Sequence, residues 1–169
     1  MPEPDEELQR ALALAYAYLN RRERTVNEMR AYLERHGIQT AAVAGAVATL
    51  SEHGALDDAR FVRLFAQDKR ELEDWGSERI RRTLLARGVD RDLIDDSLRD
   101  GEDGGEDAGD GGERRRALAL LSRRFPTPPA DRRERERALG VLLRKGYDSN
   151  VALDALAAYA HAVDDRDLL

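Results

Sequence analysis

The stretch Leu142-Leu143-Arg144-Lys145-Gly146-Tyr147 has two earlier counterparts, Leu84-Leu85-Ala86-Arg87-Gly88-Val89 and Tyr32-Leu33-Glu34-Arg35-His36-Gly37-Ile38. In each, a Leu stands four residues before the Gly and an apolar residue follows it. Glycine enters the left-handed backbone region without a Cβ clash and so closes helices. Basic side chains in the last turn suit the negative end of the helix dipole. Each copy therefore reads as the end of an amphipathic helix and a tight turn, with Gly37, Gly88 and Gly146 as structural residues. Six and ten residues beyond the glycines come Val43 and Val47, Ile94 and Leu98, Ala152 and Leu156. Two anchors in fixed register, three times over, make a repeat; its glycines are 51 and 58 residues apart.

Outward from these turns the chain reads as helices. Residues 1–6 are expected to be a loose tail, followed by a stripe of Leu8, Leu12, Ala15 and Leu19. Thr25 and Glu28 form a capping box ahead of Met29, Tyr32 and Leu33. Thr40 is placed to cap a third helix bearing Val43, Val47 and Leu50. Asp57 is the next N-cap, with Leu56 and Phe61 as its hydrophobic staple. That helix carries Leu64 and Phe65 and ends at Trp75-Gly76; two more follow with Ile80 and Leu84, then Leu93, Ile94 and Leu98. Leu118, Leu121 and Phe125 mark the next helix, ended by Pro126, Pro128 and Pro129. Asp131 and Glu134 suggest another capping box before Leu139, Leu142 and Leu143, and Val151, Leu153 and Leu156 lie on the last helix, which fades after Ala160.

The resulting expectation is an all-α chain, a tandem array of three three-helix repeats forming an elongated, curved molecule. The repeats occupy residues 7–56, 57–100 and 114–161. Residues 101–113 hold glycines and acids and no apolar side chain larger than Ala108, so they are expected to be a flexible linker. A unit of this size is marginal alone and should pack on its neighbours. The linker leads to the expectation that the third repeat docks less firmly.

The net charge of −6 is unevenly placed. Residues 102–113 carry six acids and no base, whereas residues 114–169 carry 12 basic and 8 acidic groups. The acidic insert is expected to compete weakly for the basic surface beside it. With no Cys, disulfides and thiolate metal sites are excluded. The acidic N-terminus is unlike a secretory signal, and no apolar run approaches a membrane span. A cytoplasmic protein is expected, with no membrane contact.

The pattern Thr25…Glu28-Met29…Leu33…His36-Gly37-Ile38, then Leu50-Ser51-Glu52-His53-Gly54-Ala55-Leu56-Asp57-Asp58-Ala59-Arg60-Phe61, then Gly76…Arg79-Ile80…Leu84…Arg87-Gly88-Val89, resembles the RecX family of recombination regulators. Leu8 to Leu98 carries most of the resemblance. It implies a tandem three-helix-repeat fold and a protein that binds the RecA recombinase filament, inhibiting ATP hydrolysis and strand exchange. The acidic insert and the proline break at 126–129 depart from the family pattern.

An enzyme is not expected. His36, His53 and His161 are scattered, no glycine-rich phosphate loop carries the Lys-Ser/Thr a nucleotide needs, and Asp57-Asp58 reads better as a helix cap than as a metal pair. No cofactor or metal is implied. Candidate contacts to the filament or to single-stranded DNA are Arg114, Arg115, Arg116, Arg132, Arg133, Arg144 and Lys145 in the third repeat, with Trp75, Arg79, Arg82 and Arg87 in the second. The competing readings are solvated faces for the arginines and inter-helix core for Trp75. A monomeric filament regulator is the leading expectation. A stand-alone basic DNA-binding module and a generic α-repeat scaffold are its rivals.

Overall fold

The computed structural model describes residues 4–100 and 110–164. Among these are nine α-helices and no strand: α1 (Pro4–Leu19), α2 (Val26–Arg35), α3 (Thr40–Glu52), α4 (Asp58–Glu73), α5 (Ser77–Ala86), α6 (Arg91–Asp100), α7 (Asp110–Arg124), α8 (Arg132–Lys145) and α9 (Ser149–Asp164). The all-α repeat class expected from the sequence is the one the chain adopts. Gly37, Gly88 and Gly146 all take positive φ, at 74°, 78° and 89°. The turn that defines the repeat is therefore the same left-handed closure each time.

The chain divides into two compact units, Met1–Leu64 with Leu84–Ile94, and Phe65–Thr83 with Asp95–Leu169. The division passes within α4, α5 and α6. In the first unit the α1–α3 core is built from Ala11, Ala15, Met29, Leu33, Val43, Ala46, Val47 and Leu50. Full burial of a side chain such as Leu33 or Leu50 stabilises by ~2 kcal/mol relative to exposure. Leu56 and Phe61 are both buried, and Asp57 accepts the Arg60 N–H at 2.9 Å, as the cap and staple require. In the second unit Ala117, Leu121, Ala138, Leu142, Tyr147, Val151, Ala152 and Tyr159 form the α7–α9 core. The Tyr159 hydroxyl donates to the Phe125 carbonyl, pinning the start of the proline turn.

Several expectations need correction. First, α1 begins at Pro4, inside the supposed tail: Pro suits the first helical position, and Asp5, Glu6 and Glu7 favour the positive end of the dipole. Second, Thr40 does not cap α3. It is that helix's first residue, and the Gln39 N–H is met instead by the Glu7 carboxylate at 3.0 Å. Third, the Asp131 carboxylate does accept the Glu134 N–H, but Glu134 reaches back to the Ala130 N–H, one residue short of a reciprocal box. Fourth, residues 110–113 are the first turn of α7, and α9 runs on to Asp164. The rest of the expected linker, residues 101–109, lies outside the described residues.

Candidate functional site

Where one triplet meets the next, the last turn of one middle helix abuts the first turn of another. In the first unit α5 ends against the start of α2. The Thr25 hydroxyl, fully buried, accepts the Glu28 N–H at 3.1 Å and donates to the Arg87 carbonyl at 3.1 Å. Glu28 completes the capping box and also takes the Arg87 guanidinium, with Nε to Oε1 at 2.9 Å and Nη2 to Oε2 at 3.0 Å. The same guanidinium lies 4.5 Å from the Phe61 ring centroid. Asp58 accepts the Val26 N–H at 2.9 Å. The Thr25 and Asp58 hydrogen bonds satisfy backbone groups that helix ends leave open, while the Arg87–Glu28 pair and the Arg87–Phe61 contact join side chains across the junction.

Burial lifts the Asp58 carboxyl above the ordinary aspartate value; the Val26 hydrogen bond opposes this without cancelling it, and the Asp57 and Glu28 charges add to the rise. The bond needs an acceptor oxygen more than it needs a charge. Asp58→Asn is thus expected to retain stability, whereas Asp58→Ala should cost ~1 kcal/mol in urea unfolding. Equal losses for the two variants would show that the charge itself holds the junction.

In the second unit α8 ends against the start of α5 in the same way. The Gly76 N–H donates to the Lys145 carbonyl at 2.9 Å and the Glu78 N–H to the Gly146 carbonyl at 3.1 Å. Glu113, from the first turn of α7, accepts the Ser77 N–H at 2.7 Å, the part Asp58 plays for Val26. A Cβ on Gly76 would fall 2.4 Å from the Gly146 carbonyl oxygen, and one on Gly146 would fall 2.2 Å from the Arg79 Cβ. Backbone meets backbone here with no room for a side chain. The third triplet is therefore joined to the start of α5 by two main-chain hydrogen bonds.

Lys145 donates to the Glu73 carbonyl at 2.7 Å, closing the C-terminal end of α4, and Arg79 donates to the Arg144 carbonyl at 3.3 Å. Asp74, at φ 56°, turns the chain so that the Trp75 N–H reaches the Lys69 carbonyl at 3.0 Å. Trp75 is half-buried. The Arg79 guanidinium stands 4.0 Å from its ring centroid, the Lys69 ammonium 4.9 Å, and Phe65 meets it edge-on at 6.3 Å. The Lys69 ammonium also holds the Glu73 carboxyl below the usual glutamate value.

The candidate residues thus separate. Arg79, Lys145 and Trp75 come together at the α8–α5 junction, and Arg87 is held at the α5–α2 junction. Arg82, Arg114, Arg115, Arg132, Arg133 and Arg144 expose their side chains, and Arg116 is half-buried. Arg132 pairs with Glu136 one turn on, at 2.8 Å. Glu113 was not singled out from the sequence, and Gly76 was read there as a helix stop and part of the family pattern rather than as a point of contact. The available signal was register: Val26 and Ser77 are 51 residues apart, the same offset as Gly37 and Gly88. No group of three or more His, Asp or Glu suited to a metal occurs among the described residues.

Comparison with known proteins places this geometry among others. The family models described as RecX, first three-helix domain, and RecX, second three-helix domain, match residues 11–50 and 57–98. Regulatory protein RecX of Leptothrix cholodnii is 33% identical over 150 residues, covering 89% of this chain and 89% of that one. Regulatory protein RecX of Lactobacillus delbrueckii subsp. bulgaricus is 40% identical over 91 residues, 54% of this chain; the match spans about a third, 34%, of that relative's length. The crystal structure of RecX from Lactobacillus salivarius superposes with a TM-score of 0.78 over 94% of this chain and 99% of that one, at 17% identity, a likeness of fold.

Proposed function

Because the chain belongs to the RecX family of regulatory proteins, we propose that it regulates a RecA recombinase in the cytoplasm, binding the assembled RecA–DNA filament as a monomer and lowering its ATP hydrolysis and strand exchange. The observation that carries this reading is the 33% identity to regulatory protein RecX of Leptothrix cholodnii across 89% of both chains. The exposed arginines of α5, α7 and α8 support it, since guanidinium groups bind phosphates and carboxylates in bidentate fashion. A binder that prefers one filament state shifts the filament toward that state without chemistry of its own. No helix among the described residues is long and apolar enough to cross a membrane.

The test is RecA's DNA-dependent ATPase on circular single-stranded DNA, with this chain titrated in. The rate is expected to fall at fewer than one molecule per RecA protomer. The basic excess of residues 114–169, 12 against 8, favours a second reading as a stand-alone DNA-binding module. An unchanged ATPase, together with equal affinity for naked strands and for filament, would select that reading instead.

A further inference from the structure

The outer side of α8 carries three features that weaken a helix. Gly140 stands in its middle, where glycine costs backbone entropy. The three atoms nearest to a Cβ built there all belong to the Arg144 guanidinium, at 3.1, 3.8 and 3.9 Å, so no neighbouring helix comes closer. Arg133 and Arg137 are one turn apart, a like-charge pair. Arg132, Arg133 and Arg135 fill the first turn, at the end of the dipole that favours acids. Departures of this kind from local stability are kept where a site uses them. Arg133, Arg137, Gly140 and Arg144 fall within about 60° of one another around the helix, opposite the buried Ala138 and Leu142. All three arginines are exposed, and no acid among the described residues pairs with any of them. Glu136, beside the row, is held by Arg132 at 2.8 Å. The Arg144 side chain lies back over Gly140, which closes the row to three guanidinium groups along about 10 Å of helix.

We propose that this face is a track for the phosphodiester backbone of single-stranded DNA, with Gly140 at the point of closest approach. Each guanidinium can take phosphate oxygens through two parallel N–H groups. Gly140 lets the Arg144 guanidinium lie low against the helix, in line with Arg133 and Arg137, so that one strand meets all three. A side chain at that position would lift Arg144 out of the row. One row suits one strand: Glu136 flanks it on one side and Glu134 on the other, so a second backbone would meet carboxylates. No aromatic residue lies on α8, and the contact therefore reads phosphates and not bases. The proposal deepens the filament-binding reading and rests on it for where the strand is met: these arginines are assigned to the DNA, not to the recombinase.

The test is fluorescence anisotropy of a labelled oligothymidylate titrated with the full chain. Gly140→Leu is the decisive variant. Leucine favours helix, so melting should hold or rise, while strand affinity should fall at least about fivefold. Arg133→Gln, Arg137→Gln and Arg144→Gln combined should weaken binding at least about tenfold and flatten the fall of log K with log salt by ~2. Oligouridylate should bind within about twofold of oligothymidylate, since neither sugar nor base is touched. Wild-type strand affinity in a folded Gly140→Leu chain overturns the proposal, as does an unchanged salt slope in the triple variant. So does polyglutamate that displaces the strand as well as unlabelled oligothymidylate of equal charge, since that assigns the row to an acidic protein. Loss of strand binding in both variants upholds the track whether or not the wild type lowers RecA's ATPase, so a failure of the filament reading is told apart from a failure here.

Discussion

Gly146→Ala is expected to cost the second unit about 3 kcal/mol or more, while Gly37→Ala costs ~1 kcal/mol, although both glycines have positive φ. The left-handed backbone strains any L-residue by ~1–2 kcal/mol, and at Gly37 nothing else stands within 4 Å of the new Cβ. At Gly146 the Cβ would lie 2.2 Å from the Arg79 Cβ and 2.7 Å from the Arg79 nitrogen, so backbone must move. That movement breaks the Glu78–Gly146 hydrogen bond and pulls α5 off α8. Gly76→Ala, built against the same carbonyl from the other side, should do similar damage without any φ strain of its own. Trp75, the chain's single Trp, sits in this junction and reports it by fluorescence. Melting monitored there should drop by ~6–12 °C for Gly146→Ala. Equal losses at Gly37 and Gly146 would mean that the close approach carries no weight and that only turn geometry matters.

The contrast between those glycines shows what a sequence discloses. Local chemistry was legible: the Leu-to-Gly turns, the Thr25–Glu28 box and the Asp57 cap each depend on residues within one turn of each other, and each is present. Gly76 was legible only as a helix stop. Its reason is the Gly146 carbonyl 70 residues away, and a glycine carries no mark of which backbone approaches it. Glu113 was assigned to an acidic insert by its neighbours' composition, yet it is 8% exposed and holds the Ser77 amide. Composition describes a segment's average, whereas a junction is decided by one residue in register. The arginines make the same point. Arg82 and Arg87 lie on or beside one short helix, and although Arg87 directly precedes the turn glycine Gly88, nothing around either in sequence says what its guanidinium meets. Glu28 and Phe61 distinguish them in space, by taking the Arg87 guanidinium and leaving Arg82 exposed. A count of basic residues therefore overstated the surface open to a partner.

The exposed arginines give the second large expected effect. Arg114→Glu, Arg115→Glu, Arg132→Glu and Arg133→Glu combined should weaken binding to single-stranded DNA and to RecA filament at least about tenfold at 0.1 M salt. Each arginine that meets a phosphate releases a counterion. On a single strand the fall of log K with log salt should therefore flatten by ~0.7 for each phosphate no longer neutralised. Helicity and melting should hold, because all four side chains are exposed and exposed pairs such as Arg132–Glu136 are of little worth. Arg87→Glu is the opposite control. It places a second carboxylate against Glu28 inside the α5–α2 junction, so it should lower the melting temperature. The quadruple Arg→Gln variant separates the removal of attraction from the addition of repulsion and should show a smaller loss in the same direction. If the reversals abolish DNA binding but leave inhibition of RecA's ATPase intact, the arginine face serves DNA alone. The filament-binding surface then lies elsewhere, with Arg82 the next residue to reverse. If neither activity changes, these four arginines are solvated surface and contribute nothing to regulation.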